Sequence, residues 1–174
     1  MDSTKPGLRK KLQEVRMALG AEDRRHKSNA IAASLLQEVY WSKVGTVHCF
    51  EPIMHLGEVD LVDFVTALQT DKADVRVYTS RKIDGEWRVV SADTDEPVPP
   101  LQFDVIIVPM LGFDGQLHRV GYGGGYYDKF LADQPKARKI GVCYEVCKVE
   151  QIPVEPHDIR LDMIVTEQTV YGHY

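Results

Sequence analysis

The segment Asp104-Val105-Ile106-Ile107-Val108-Pro109 decides the fold class of this chain. It is a continuous apolar run and lacks the alternation of polar and apolar residues that a half-exposed strand shows. Such a run is typical of a central strand in a parallel sheet, which is buried on both faces. Strand-like and helical segments alternate on both sides of it. The alternation predicts an α/β fold with a mostly parallel sheet flanked by helices.

The remaining elements are predicted by working outward from this strand. Apolar residues at helical spacing predict helices over residues 6–20, 22–40, 61–68 and 126–132, with Asp60 as a possible cap of the third. Short apolar runs predict further strands over residues 46–50, 75–79, 139–144 and 163–166. Asp84-Gly85 predicts a hairpin turn, because both residue types tolerate positive φ. Ligands of such sheets bind beyond the carboxyl ends of the strands.

Composition excludes several classes of protein. The chain has 174 residues, and 21 Lys and Arg against 26 Asp and Glu give a formal net charge of −5. This length predicts one domain over residues 1–174, and the acidic balance argues against general nucleic-acid binding. The longest apolar stretch, residues 105–113, is too short to span a membrane. The first residues lack the apolar core of a signal peptide, and three cysteines favour reduced, buried thiols, so we expect a cytoplasmic location.

A glycine-rich loop precedes the predicted fourth helix. Residues 121–125 contain four glycines, which leave backbone N–H groups uncovered at a helix start and so could hold a phosphate group. Neither a P-loop nor the dinucleotide fingerprint is present, and a mobile surface turn is the alternative interpretation. Arg119 before the loop and Tyr126-Tyr127-Asp128 after it favour the phosphate site.

Asp128 indicates a metal ion at this loop. A carboxylate beside phosphate groups is repelled unless Mg²⁺ lies between them, so Asp128 predicts a metal–phosphate site. Its alternative role is to complement the dipole of the helix that it begins.

Two other parts of the chain carry candidate binding residues. Lys5, Arg9 and Arg16 lie along one edge of the first helix, next to its apolar stripe, where they could line a cleft or simply be solvated. Glu58, in Gly-Glu-Val-Asp, lies on a predicted loop between a strand and the third helix. A carboxylate there could accept hydrogen bonds from a ligand, or only complement the helix dipole.

Residues 108–131 resemble the signature of the 5-formyltetrahydrofolate cyclo-ligase family, also called methenyltetrahydrofolate synthetases. The signature contains Val-Pro, Phe-Asp, Arg-x-Gly-x-Gly-x-Gly-Tyr-Tyr-Asp and Leu in this order. The resemblance extends to Lys-x-x-x-Arg in the first helix and to the Glu-Val-acid segment at Glu58. It also includes residues 152–158, which are similar to the family segment Val-Pro-x-Glu-x-His-Asp.

The resemblance implies a ribose-phosphate isomerase/CoA transferase-like fold and a reaction. With ATP and Mg²⁺, the family converts 5-formyltetrahydrofolate to 5,10-methenyltetrahydrofolate: the formyl oxygen is phosphorylated, N10 attacks the formyl carbon, and ADP and phosphate leave. The resemblance assigns catalytic roles to Arg119 and Tyr127, and metal binding to Asp128 and Asp158. Substrate binding is assigned to Glu51, Glu58 and Tyr126. The nucleotide would be held by Lys5, Arg9, Arg119, Gly121, Tyr122, Gly123, Gly124, Gly125, Tyr126 and Tyr127.

Two departures from the family pattern bear on these assignments. Many relatives carry basic side chains where this loop has Tyr122 and Gly124. Arg119 and the backbone amides would therefore have a larger part in binding the phosphate groups. The stretch between Val75 and Val108 is shorter than usual, and Asp95-Glu96-Pro97 could be the remnant of a family Gly-x-x-Glu-Pro element. The alternatives are a folate-binding paralogue without catalysis, or a sugar-phosphate enzyme, which would need a general acid or base. No membrane or nucleic-acid partner is expected, and the oligomeric state stays open.

Overall fold

A computed structural model describes residues 4–72 and 74–173 of the chain. The helices are α1 (Lys5–Met17), α2 (Ala21–Glu38), α3 (Val62–Asp71) and α4 (Tyr126–Ala132). The strands are β1 (Thr46–His48), β2 (Arg76–Ile83), β3 (Glu86–Ser91), β4 (Val105–Pro109), β5 (Gly112–Phe113), β6 (Arg119–Val120), β7 (Arg138–Val142), β8 (Met163–Val165) and β9 (Val170–Gly172). Short 3₁₀ turns occupy Trp41–Lys43, Met54–Leu56 and Glu145–Cys147.

The main sheet has seven strands in the order β3-β2-β1-β4-β7-β8-β9. The five inner strands are parallel to one another, and β3 and β9 are antiparallel strands at the two edges. Strands β5 and β6 form a separate antiparallel pair. The predicted α/β fold with a mostly parallel sheet is therefore confirmed.

Strand β4 lies in the middle of the sheet, as its apolar run predicts. All five of its residues are buried. Val105 and Ile107 pack in a core with residues of α2 and α3, and Ile106 and Val108 pack in a second core with residues of α1 and α4. Because successive strand residues point to opposite faces, a strand covered by helices on both sides must be apolar throughout. The helices thus form one layer on each face.

Strand β2 is longer than its apolar residues predict. The prediction ended it at Thr79, but the strand continues to Ile83, where it turns back into β3. The hairpin itself is confirmed, and Asp84 and Gly85 have φ values of 52° and 82°. The extra residues are stabilised by pairing with β3, which a pattern of buried residues does not reveal.

Other boundaries differ in small ways. Strand β1 ends at His48, two residues earlier than predicted, and the two-residue strands β5 and β6 and the edge strand β9 were not predicted. Leu61, rather than Asp60, stands at the cap position of α3, although Asp60 Oδ1 accepts a 3.0 Å hydrogen bond from the Val62 amide. Short strands at edges carry too few apolar residues to give a periodic signal.

The described residues contain no helix that is long and apolar enough to cross a bilayer. The cysteines Cys49, Cys143 and Cys147 are buried and free, as expected from their odd number. Burial raises the pKa of the Cys49 thiol to about 12, so this residue is a small apolar side chain at neutral pH.

Candidate functional site

A cavity of about 740 Å³ opens at the carboxyl edge of the parallel sheet. It is lined by the residues that follow β1, by the end of β4, by β2, by the glycine loop and by the first turns of α1. Its volume lies within the range of roughly 300–1,000 Å³ that is usual for ligand sites. Arg16, a candidate from the first helix, does not line this cavity. Every residue to which the family resemblance assigns a role does: Lys5, Arg9, Glu51, Glu58, Arg119, Gly121, Tyr122, Gly123, Gly124, Gly125, Tyr126, Tyr127, Asp128 and Asp158.

Lys5 enters the cavity from the first turn of α1. Thr4 caps this helix through a hydrogen bond from the Gly7 amide to Thr4 Oγ1. Lys5 Nζ lies 2.5 Å from Asp158 Oδ2 and 2.6 Å from Glu155 Oε2. Burial opposes charge on Lys5 and on Asp158, but their mutual hydrogen bond and attraction outweigh it, so the pKa of Lys5 is raised and that of Asp158 is lowered. Both groups are therefore charged at neutral pH.

Arg9, one helical turn later, holds the glycine loop against α1. Its Nε atom donates a 2.9 Å hydrogen bond to the Gly121 carbonyl oxygen. Gly123 has a φ of +91°, and a Cβ atom at this position would lie 3.1 Å from Arg9 Cζ. A left-handed backbone next to a guanidinium group requires glycine. The loop thus packs on a cation that the sequence analysis assigned to phosphate binding.

Arg119 and Asp128 form an ion pair on the other side of the loop. Arg119 Nη2 lies 2.5 Å from Asp128 Oδ1, and the Arg119 side chain is almost fully buried. Arg119 Nη1 also donates to the Ile159 carbonyl oxygen, and the Ile159 amide lies 3.4 Å from Asp128 Oδ1. These contacts bring Asp128 next to the segment that carries Asp158. Each aspartate assigned to a metal is thus paired with a cation assigned to phosphate.

The carboxylates near Lys5 could hold a metal ion. Glu155, His157 and Asp158 have potential ligand atoms within 4.8 Å of one another, and Asp128 is not part of this group. Magnesium in nucleotide sites takes one or two carboxylates and completes its shell with phosphate oxygens and water. Asp128 and Asp158, which line the cavity beside the glycine loop, fit that preference. Glu155 was not predicted as a site residue, although the segment that contains it was.

Glu58 lines the cavity next to Tyr122 of the glycine loop. It is buried, its Oε2 accepts a 2.6 Å hydrogen bond from the Ile53 amide, and its Oε1 accepts one from the Tyr122 hydroxyl. Arg16 Nη2 donates a 2.8 Å hydrogen bond to the same hydroxyl. Arg16 is itself buried, so the alternative of a solvated Arg16 is wrong.

The ring of Tyr126 lies on an aromatic surface in the wall of the cavity. The ring is stacked on Phe130 at 5.7 Å and lies 4.8 Å from the exposed ring of Trp87. The Tyr126 hydroxyl lies 2.5 Å from Ser80 Oγ, which is 2.8 Å from His48 Nε2. Burial lowers the pKa of His48 to about 3, so the ring is neutral at physiological pH. These contacts fix both the ring and the hydroxyl of Tyr126.

Tyr127 lies between the two cores and is the more enclosed of the two tyrosines. Its ring packs at 6.4 Å from His48 and 5.2 Å from Tyr126. Burial raises the pKa of Tyr127 well above its ordinary value, so its hydroxyl stays protonated and can donate a hydrogen bond.

Glu51 reaches the cavity beside residues that the sequence analysis missed. Arg81 forms ion pairs with Glu51 and with Asp95 Oδ1, the latter at 2.9 Å. Arg81, Lys82 and Trp87 also line the cavity, because β2 extends beyond its predicted end. In the sequence, the available signal for this wall was Trp87, a large aromatic residue just after the Asp84-Gly85 turn. In the structure, Trp87 is exposed over half its surface. The Asp95-Glu96-Pro97 segment contacts this wall through Asp95.

Comparisons with known proteins identify the family of this chain. The sequence profile of the 5-formyltetrahydrofolate cyclo-ligase family matches residues 86–167, which include the glycine loop and Asp158. The 5-formyltetrahydrofolate cyclo-ligase of Mycoplasma pneumoniae is 30% identical over 166 residues, which is 94% of this chain and 99% of that one.

Two solved structures have the same fold. One is a 5,10-methenyltetrahydrofolate synthetase from Mycoplasma pneumoniae, with a TM-score of 0.83 and 29% identity over 97% of this chain and 100% of that chain. The other is the 5,10-methenyltetrahydrofolate synthetase of Aquifex aeolicus, with a TM-score of 0.81 and 29% identity over 97% of this chain and 92% of that chain. Because similarity in sequence and in structure covers nearly the whole length of both partners, the chain belongs to the 5-formyltetrahydrofolate cyclo-ligase family.

Proposed function

We propose that this chain is an ATP- and Mg²⁺-dependent 5-formyltetrahydrofolate cyclo-ligase that produces 5,10-methenyltetrahydrofolate, ADP and phosphate. One observation carries the proposal: residues from four distant parts of the chain, all matching family motifs, line the same cavity. They come from the start of α1, the Glu58 segment, the glycine loop and the segment before β8. Membership of the family supports the same reaction.

The phosphate end of the cavity lies around the glycine loop. Lys5, Arg9 and Arg119 supply positive charge there, and glycines leave the loop backbone accessible. Without ligand, Asp158 balances Lys5 and Asp128 balances Arg119. A triphosphate with its magnesium ion brings both signs of charge, so each cation can turn to a phosphate oxygen while each aspartate turns to the metal. The metal would be held by Asp128 and Asp158, and when bound it neutralises the charge of the triphosphate.

The folate end lies at Glu58 and the aromatic wall. A buried carboxylate that already accepts hydrogen bonds from Ile53 and Tyr122 has further lone pairs for N–H donors of a heterocycle. Tyr126 and Trp87, which line the same cavity, offer flat surfaces, and Phe130 supports the Tyr126 ring from behind. This end therefore suits the pterin ring, with Glu51 farther along the same wall.

The first chemical step transfers the γ-phosphoryl group to the formyl oxygen. A bond forms between that oxygen and the γ-phosphorus, the bond from the γ-phosphorus to the bridging oxygen breaks, and ADP leaves. The N5 lone pair shifts toward the formyl carbon, which becomes an iminium carbon. Arg119 and the loop amides stabilise the charge on the transferred group, and Tyr127 can donate a hydrogen bond beside it.

The second step closes the ring. N10 attacks the activated carbon, loses its proton to water and forms the five-membered ring, and the carbon–oxygen bond to phosphate then breaks. The formyl oxygen leaves as part of inorganic phosphate. Because water takes the N10 proton, no general base in the protein is required. Buried, free thiols suit a reducing compartment, and we expect the enzyme to act in the cytoplasm on free reduced folate.

Absorbance of the methenyl product tests the proposed reaction. Purified protein is mixed with 5-formyltetrahydrofolate and Mg²⁺, with and without ATP, and formation of product is followed. We expect formation that requires both ATP and Mg²⁺. Tight folate binding without turnover would favour the folate-binding paralogue, and neither binding nor turnover would favour a sugar-phosphate enzyme on the same scaffold.

A further inference from the structure

A chain of hydrogen bonds crosses the cavity from α1 to the Glu58 segment. Arg16 Nη2 donates to the Tyr122 hydroxyl at 2.8 Å, and the hydroxyl donates to Glu58 Oε1. Tyr122 belongs to the glycine loop, which also contacts α1 through the hydrogen bond from Arg9 to the Gly121 carbonyl oxygen. The Arg16–Tyr122–Glu58 chain therefore joins the phosphate end of the cavity to its substrate end through one side chain.

The direction of these hydrogen bonds is fixed. Burial and the neighbouring Glu58 carboxylate raise the pKa of Tyr122, so its phenol keeps its proton and donates it to Glu58. Arg16 can only donate, so the hydroxyl accepts from it. Glu58 is left as an acceptor toward the cavity.

Arg16 makes this contact while one of its own N–H groups stays without a hydrogen bond to any described residue. It is 2% exposed, its Nη1 donates to the Met110 carbonyl oxygen at 3.3 Å, and its Nε is buried without a hydrogen-bond partner among the described residues. A guanidinium group that only filled space would be expected to satisfy Nε as well. Its position below the Tyr122 ring, 5.5 Å from the centroid, adds a second contact with the same residue.

Tyr122 itself is exposed over 39% of its surface, in contrast to its two partners. Part of its side chain therefore borders the cavity, next to the Tyr122–Glu58 hydrogen bond. A ligand at Glu58 makes these surroundings less polar, and hydrogen bonds to a carboxylate strengthen as a result. The glycine loop then loses conformational freedom before the second ligand arrives, which removes part of the entropic cost of binding it.

We propose that Tyr122, held by Arg16, is a positioning residue that couples folate binding at Glu58 to nucleotide binding at the glycine loop. This inference rests on the proposed function, because it assigns the two ends of the cavity to those two ligands. It goes further in stating that each ligand raises the affinity for the other, and that one hydroxyl group carries the effect.

Calorimetric titration of a non-hydrolysable ATP analogue with Mg²⁺ measures this coupling. The titration is done with and without saturating 5-formyltetrahydrofolate, and then in the reverse order. In the wild-type chain we expect each ligand to raise the affinity for the other at least about fivefold. Tyr122→Phe removes only the hydroxyl. In this variant we expect each ligand to change the affinity for the other by less than about twofold, because the linkage is lost.

Tyr171→Phe is the matched control. The Tyr171 hydroxyl also lies between a cation and a glutamate: it accepts from Lys148 Nζ at 3.2 Å and donates to Glu145 Oε1 at 2.5 Å, outside the cavity. This variant should keep the wild-type coupling. Two results would overturn the inference and leave the proposed function standing. One is that neither ligand changes the affinity of the wild-type chain for the other. The second is that Tyr122→Phe keeps the full coupling factor of the wild-type chain. Failure of the wild-type chain to bind either ligand would instead overturn the proposed function.

Hydrogen exchange gives a second test that needs no variant. In the wild-type chain, 5-formyltetrahydrofolate alone should slow exchange of the amides of residues 121–125, because its binding at Glu58 orders the loop through Tyr122. Unchanged exchange of these amides at saturating folate would also overturn the inference.

Discussion

Lys5 Nζ lies 2.5 Å from Asp158 Oδ2, although 153 residues separate them in the sequence. Both side chains are more than four-fifths buried, so water screens the pair only partly. The contact joins the first turn of α1 to the segment before β8. Two residues that line the cavity, and that we propose bind phosphate and metal, thus form an ion pair with each other.

Lys5→Met should destabilise the fold in a pH-dependent way. At neutral pH we expect a loss of about 1 kcal/mol in the free energy of unfolding, because the partly buried Asp158 carboxylate loses its cation. The pKa of Asp158 is lowered from 3.8, so its share of the stability is present above pH 3.8 and is lost as the pH falls through the lowered value. Urea unfolding of both chains at neutral and acidic pH measures the difference, which should shrink in acid. Lys10→Met, at an exposed position of the same helix, is the control, and an equal loss there would contradict a specific role of Lys5.

Asp128→Asn should nearly abolish turnover while the protein stays folded. The substitution removes the negative charge that faces Arg119 and a proposed metal ligand, so we expect kcat to fall about 100-fold or more. Activity and the thermal midpoint are measured together. Asp133→Asn, at the exposed C-terminal end of the same helix, should change neither. Wild-type activity in Asp128→Asn would remove Asp128 from the metal site.

Gly123→Ala should raise the KM for ATP more than the KM for folate. Its φ of +91° strains any side chain, and the new Cβ would press on Arg9 at 3.1 Å. A left-handed residue other than glycine costs about 1–2 kcal/mol, so we expect roughly a tenfold increase if the loop moves to relieve it. Gly115→Ala, where nothing lies within 4 Å of a new Cβ, serves as the control. Equal changes in both KM values would show that the loop does not serve the nucleotide alone.

His48→Gln should reduce the pH dependence of stability. Burial lowers the pKa of His48 from 6.5 to about 3, so between these values the unfolded chain binds a proton that the folded chain does not. Stability therefore falls as the pH drops, by up to about 1.4 kcal/mol per pH unit from this group. Glutamine can still bond to Ser80 but does not titrate. Chemical unfolding between about pH 4 and 6 should show a shallower slope than wild type, with the exposed His55→Gln variant as control. A slope equal to that of wild type would show that His48 is not buried as a neutral ring.

Sequence reasoning succeeded where one local cause determines the structure. The apolar run of β4 and the Asp84-Gly85 turn correspond to the observed strand and hairpin, because burial on two faces and positive φ each restrict the residue types allowed. Helix α4 begins and ends where it was predicted, directly after the left-handed Gly125.

What the sequence could not give was pairing across the chain. Arg16 is separated from Tyr122 by 106 residues, and only the fold shows that the two meet. Likewise, Arg81 and Trp87 reach the cavity because β2 and β3 pair beyond the apolar part of β2. The contact between Lys5 and Asp158 depends on where α1 packs against the rest of the fold, and local sequence does not reveal that position.

The central claim is that this cavity activates the formyl oxygen by phosphorylation, and an isotope label tests it most directly. The wild-type chain is supplied with ATP, Mg²⁺ and 5-formyltetrahydrofolate that carries oxygen-18 in the formyl group, and the released phosphate is examined by mass spectrometry. We expect one labelled oxygen in each phosphate formed. Product formation with the label in water instead of phosphate would contradict it.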